Sequence, residues 1–303
     1  MRCGGLYPDY PIRCLARQCN TKAIPFIHLF ARLAIEFGFF QEHERGGLLA
    51  ADMHDQHDNV LAGLVGSSPA VTDEEQRHVD TTSVTELIRL RELGLMKKQD
   101  IQQYRLVQQL CIYSSGCFEQ RGRFLLEWDP YSILRVDTFG NRPLRYAAEF
   151  ASLAGFRFTF ELGIRYFPQH VGITLLFRSH DRNSSDHRTP IEQACARFER
   201  KEVLRVIDDV LAHSSLTTPL NITDAFLVAI LDDTIHLDAV YFLLRRQPDT
   251  LIRLITNSSS SSSGSSIRCV GGCRDDNDDD DDDDDDTNNK NNGVISKSKR
   301  KRE

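Results

Sequence analysis

No apolar run in this 303-residue chain approaches the roughly 20 residues that a bilayer-crossing helix needs, Phe226 to Leu231 being among the longest, which argues against a membrane-spanning protein. Cysteine is also thin. The eight residues at 3, 14, 19, 111, 117, 195, 269 and 273 are scattered through a mid-sized chain, whereas disulfide scaffolds are short and dense in Cys. That usage fits a reduced intracellular compartment, cytoplasm or nucleus. The first apolar residues are interrupted by Arg13 and Arg17, so no secretory signal is recognisable. Before Glu36 the only acidic residue is Asp9, against Arg2, Arg13, Arg17, Lys22 and Arg32, a loose likeness to an organellar transit peptide. The segment is nevertheless poor in Ser and broken by Pro.

A strong charge of one sign is missing from most of the chain. The formal net charge is -7, but residues 257–303 hold eleven Asp and one Glu against eight Lys and Arg, a balance of -4, leaving only -3 for residues 1–256. So balanced a body has no field that would concentrate a polyanion, and nucleic acid is not an expected partner.

Catalytic signatures are missing too. There is no Gly-rich phosphate loop, no GxSxG elbow, and no set of Cys, His and acid at a recognisable spacing. His43-Glu44 is followed by Arg45-Gly46-Gly47, so it fails the HExxH pattern and reads as a loop after the first helix. The cluster Asp52, His54, Asp55, His57 and Asp58 contains a partial ligand set, yet nothing close by in sequence completes it, and it reads as a solvated loop between helices. Cys269 and Cys273 are spaced CVGGC rather than CxxC. Cys111, Cys117 and Cys195 fall in helical patterns and read as small core fillers. The same reading places Trp128, Phe156, Phe158 and Phe160 in the core. Neither an enzyme, a cofactor nor a metal site is expected.

What is present is worn repetition. FLLEWDPYSILRV from Phe124 and FLLRRQPDTLIRL from Phe242 share Phe-Leu-Leu, a Pro, then a short apolar return. Patterns ending at Gly38, Gly94 and Gly163 each read as a helix closed by Gly, which takes the left-handed conformation without steric cost. Second helices start near Leu61, Leu106, Leu144, Ile191 and Phe226, at spacings of 45, 38, 47 and 35 residues. Stacked helical repeats have periods of about 33 to 47 residues.

Pro143 and Pro190 suit the first helical turn, where the missing N–H would have no partner anyway. Thr189 suits the N-cap before it. Leu144 and Ile191 should then face inward, while Ala147, Ala148 and Ala194 let neighbouring helices approach closely. The stretch Asp137-Thr-Phe-Gly140-Asn-Arg-Pro143-Leu144-Arg-Tyr-Ala147-Ala148 resembles the core of the ankyrin repeat, with its Asp, Gly, Thr-Pro-Leu-His and Ala-Ala. Thr189-Pro190-Ile191-Glu192-Gln193-Ala194-Cys195 is similar. Clear likeness covers residues 137–212, and a weaker one extends it to 25–256. Arg142 stands where the family has Thr, and Arg145 and Glu192 where it has His. His187 replaces the turn Gly after the inserted SHDRNSSDH, so irregular loops are expected.

The resemblance implies an all-α, ankyrin-like helical-repeat solenoid of about five helix pairs over 25–256, preceded by a flexible segment, 1–24. Residues 257–303, with their Ser run and nine consecutive Asp from 278 to 286, offer almost nothing to bury and read as a disordered tail. The expected function is non-enzymatic: capture of a protein partner through the repeat surface, with Phe139, Asn141, Arg142, Arg145, Arg182, His187 and Arg188 as contact candidates. The alternative is a nuclear adaptor that binds through its acidic and basic tail, in which Lys297, Lys299, Arg300, Lys301 and Arg302 resemble a nuclear import signal, with an enzyme of unrecognised site ranked third. The sequence leaves the partner's identity and the oligomeric state open.

Overall fold

The computed structural model describes residues 22–50, 59–66, 72–113, 118–178, 188–217 and 221–249, with single positions at Ile12, Ala16, Ile252 and Thr256. The chain divides after Thr256, at the break in composition. The tail, its basic cluster, Cys117, and the Asp52 to Asp58 cluster lie outside the described residues, as do Arg182, His187, Cys269 and Cys273. Of the expected flexible segment 1–24, Ile12, Ala16, Ala23 and Ile24 are buried, and Ala16 lies against Gly63.

The fold is all-α. The helices are α1 (Ile27–Glu36), α2 (Val60–Gly66), α3 (Asp73–Glu92), α4 (Lys98–Gln103), α5 (Leu106–Tyr113), α6 (Glu119–Trp128), α7 (Pro143–Phe150), α8 (Leu153–Tyr166), α9 (His170–Thr174), α10 (Pro190–Arg197), α11 (Arg200–Thr217), α12 (Ile222–Leu231) and α13 (Asp238–Arg246). Short 3-10 turns sit at Ile24–Phe26, Glu42–Glu44, Pro130–Ile133 and Leu175–Phe177. His43 and Glu44 thus follow α1 in a turn, as expected. Among the described residues β pairing is limited to one isolated bridge, Arg178 with Ile235.

Local chemistry sets the helix ends. Thr72 caps α3 by accepting from the Glu75 N–H at 3.2 Å while the Glu75 carboxylate accepts from the Thr72 N–H at 3.1 Å. Asp73, Glu74 and Glu75 fill the first turn and Arg89 and Arg91 the last, complementing the helix dipole. Gly94 then stops the helix at φ +70°, and Gly38 does the same after α1 at φ +68°. Gly163 does not behave this way: α8 runs through it to Tyr166. There the missing β-carbon makes room for Leu175, whose Cδ1 would lie 2.9 Å from it.

Pro143 and Pro190 open α7 and α10. The buried Thr189 forms a capping box with Glu192, whose carboxylate accepts from the Thr189 N–H at 2.7 Å. Thr189→Ala is expected to cost about 1 kcal/mol in urea unfolding, with Thr189→Ser losing much less. Equal losses would show that the hydroxyl cap is not what holds this turn.

Packing follows chain order in two rows. In one, α2 packs on α5, α5 on α7, and α7 on α10; in the other, α3 packs on α6, α6 on α8, and α8 on α11. Contacts within pairs join α2 to α3, α5 to α6, α7 to α8 and α10 to α11. Consequently the middle helices are buried on two sides. Ala147 and Ala151 belong to an apolar cluster shared with α1 to α6, whereas Leu144 and Ala148 belong to one shared with α10 to α13. Along α8, Phe158 and Leu162 face the first cluster, while Phe156, Phe160 and Ile164 face the second. The aromatic residues expected in the core are there, and Trp128 packs partly buried beside it.

The fifth pair departs from the register. α12 packs chiefly on α9 and α13, and α13 also meets the 3-10 turn at Leu175–Phe177. The helices that carry the shared Phe-Leu-Leu, α6 and α13, end alike. Asp129 (φ -136°, ψ 84°) and Gln247 (φ -135°, ψ 79°) close them with the same backbone geometry, donating to Leu125 and Leu243.

Candidate functional site

The turn before α7 is built around one carboxylate. Asp137 Oδ1 accepts from the N–H groups of Phe139 at 2.8 Å and Asn141 at 2.9 Å, while Oδ2 accepts from the Tyr146 hydroxyl. Gly140 supplies the left-handed backbone at φ +79°, and its N–H donates to the Asp137 carbonyl at 3.0 Å. The Asn141 amide reaches the Tyr146 hydroxyl at 3.4 Å. Burial, with the Asp137 hydrogen bond assisting, pushes the Tyr146 phenol up to about 12, so it remains a neutral donor. These hydrogen bonds make the turn compact; the insertion before His187, on which the expectation of irregular loops rested, lies outside the described residues.

Phe139 projects from this turn, 67% exposed. Neighbouring Val136 is exposed as well. From the preceding unit, Arg105, itself at φ +51°, reaches Thr138 Oγ1 at 3.4 Å, and the Gln108 amide donates to the Arg135 carbonyl at 3.2 Å. The turn is therefore tied to the pair before it.

The arginines expected at the surface behave differently from one another. Arg145 is only 6% exposed, and its guanidinium donates to the Arg188 carbonyl in front of α10. It is a strut between two units rather than an exposed contact group. Arg142 is half-buried and donates to the Leu134 carbonyl at 3.2 Å. Burial, with nearby Arg178 assisting and Asp232 opposing, lowers its guanidinium to about 10, so it remains a cation at neutral pH. Asn141 is half-buried within the turn, and Arg188 is exposed. Arg145 sits one turn into α7, where the helix faces its neighbour, and this is why burial overrides its charge.

Arg178 gathers the last loop. Its Nη1 lies 3.0 Å from Asp232 Oδ2 and donates to Thr234 Oγ1 at 2.8 Å, and the His236 N–H donates to the Phe177 carbonyl at 2.8 Å. Burial alone would raise the Asp232 carboxyl, but hydrogen bonds from Thr234 and the Arg178 charge hold it below the usual range. Glu192, His236 and Asp238 lie close by, with ligand atoms within 4.8 Å of one another. By type they could hold a divalent cation. However, Glu192 is committed to capping Thr189, and His236 Nδ1 accepts from the Asp238 N–H at 3.3 Å.

The two described thiols, Cys111 and Cys195, are poorly suited to nucleophilic attack. Burial pushes Cys111 up to about 12 and also raises half-buried Cys195, the reverse of what an attacking thiolate needs. Sequence reasoning missed the role of Tyr146 and of the Arg178 and Asp232 pair. The former lay inside the ankyrin-like stretch without being singled out there, and the latter joins residues 54 positions apart in sequence.

No protein family, curated protein or solved structure matches this chain.

Proposed function

We propose that the chain is a non-enzymatic protein-interaction module, an ankyrin-like solenoid that captures its partner at the turn before α7. The observation that carries this is the pairing of an exposed aromatic, Phe139, with a turn fixed by three hydrogen bonds to Asp137. A backbone turn held in place before contact loses little conformational freedom on binding, and exposed aromatics supply much of the affinity at protein interfaces. The succession of helix pairs supports the solenoid, since each buries an apolar face it cannot bury alone. In this proposal Arg142 and Arg145 position the turns, and Phe139 and Arg188 make the contact.

Phe139→Ser is expected to weaken partner capture by about tenfold or more while moving the unfolding free energy by no more than about 0.5 kcal/mol. Proximity labelling with the full-length chain, the Phe139→Ser variant and a chain truncated after Thr256 reads the outcome. Retention of partners on truncation and their loss from the variant support capture by the repeat surface. The opposite pattern would assign capture to the acidic and basic tail, and with it the role of nuclear adaptor.

A further inference from the structure

Glu192 in the first turn of α10, Asp238 in the first turn of α13 and His236 just before it bring three ligand atoms within 4.8 Å of one another. The backbone fixes each of them. The His236 N–H donates to the Phe177 carbonyl at 2.8 Å, and the His236 carbonyl accepts from the Ala239 N–H at 3.0 Å. Glu192 Oε2 accepts from the Thr189 N–H at 2.7 Å and from the Thr189 hydroxyl at 2.9 Å. That cap uses Oε2 alone and leaves Oε1 without a hydrogen-bond donor among the described residues. One oxygen held by a hydrogen bond is also how a ligating carboxylate is oriented.

We propose that Glu192, His236 and Asp238 form a zinc site that ties α13 to α10. The first argument is a pair of facing acceptors. His236 Nδ1 accepts from the Asp238 N–H, so it carries a lone pair rather than a proton, the state that a metal ligand needs. Asp238 Oδ2, also an acceptor, stands 3.6 Å from it. Two acceptors cannot bond to each other, but an ion with bonds of roughly 2.0–2.2 Å can lie between them. Charge is the second argument. Among the described residues neither Glu192 nor Asp238 forms an ion pair with Lys or Arg, so two carboxylates are gathered without a cation to offset them. The imidazole selects the metal, since magnesium and calcium take oxygen ligands whereas zinc takes nitrogen and carboxylate oxygen together. His236 and Asp238, 44 and 56% exposed in their side chains, can rotate to close on the ion, with water in the fourth position. The fifth pair, which departs from the register, thereby gains a tie to α10 from residues 44 positions away in sequence.

Zinc chloride at about 100 µM should raise the melting temperature of the full-length chain by about 3 °C or more over the chain in a chelator, and magnesium chloride should not. His236→Ala and Asp238→Asn should each remove most of that rise while leaving the metal-free melting temperature within about 2 °C. Glu192→Gln keeps a side chain that can close the capping box, and it should lose the rise as well. Isothermal titration with zinc chloride should count one ion fewer per chain in His236→Ala than in the unaltered chain. Zinc held elsewhere, in the Asp run of the tail or at Asp52 to Asp58, would give a rise that survives all three substitutions. That result, the absence of any rise, or an equal count of ions overturns the site.

Discussion

Replacing Asp80 with alanine should lower the unfolding free energy by about 3 to 5 kcal/mol, the usual consequence of stranding one member of a buried ion pair. Both Asp80 and Arg121 are fully enclosed, with Arg121 Nε 2.8 Å from Asp80 Oδ1. The carboxylate does more than neutralise. It accepts from the N–H of Gln120 at 2.8 Å and of Arg121 at 3.2 Å, capping the first turn of α6 from α3. The guanidinium in turn donates to the Val65 carbonyl at 2.6 Å, near the end of α2. Three helices therefore meet on one salt bridge, and the alanine variant removes the carboxylate that neutralises the buried guanidinium. Asp80→Leu combined with Arg121→Met should recover much of the loss, since no uncompensated charge then remains. Urea unfolding of the two variants beside the unaltered chain measures this, and a loss under about 1 kcal/mol for Asp80→Ala would mean that water reaches Arg121.

Leu144→Ala should cost about 2 to 5 kcal/mol. Leu144 is 0% exposed and lies in the cluster that joins α7 to α10 and the helices beyond. Deleting its branched end removes apolar burial and leaves a void that neighbours buried on two sides cannot easily close. Ala147, on the other side of α7, should fail in the opposite sense. Ala147→Leu inserts three carbons where the α5 side approaches, at a cost of about 1 to 3 kcal/mol. The two substitutions disturb different interfaces, so their effects should add to within about 0.5 kcal/mol.

Legibility in the sequence tracked how local the cause was. The N1 prolines, the Thr189 cap and the glycines at 38 and 94 act within one helical turn, and each was readable from its neighbours in the chain. The inward positions of Leu144, Ile191 and the alanines were readable because helical spacing determines which face they share. Gly163 was misread as a helix stop, because a glycine needed for the close approach of Leu175 looks no different in sequence from one needed for a left-handed cap. Arg145 was expected at the surface because it stands beside an ankyrin-like turn, yet its guanidinium finds the Arg188 carbonyl 43 residues away. Asp80 and Arg121 were not singled out at all. They are 41 residues apart and neither belongs to a motif. For the candidate site, a turn before Pro143 was legible through the ankyrin-like stretch, but the grip of Asp137 on that turn depends on Tyr146 folding back over it.

The claim beneath all of this is that each helix pair is held by the pairs before and after it. Hydrogen exchange read by mass spectrometry, comparing the full-length chain with its Leu144→Ala variant, tests it most directly. The largest loss of protection should fall in α7, α8 and α10, with less in α5 and least in α2 and α3. Equal loss in every helix, or a loss centred on α2 and α3, would contradict neighbour-to-neighbour stacking.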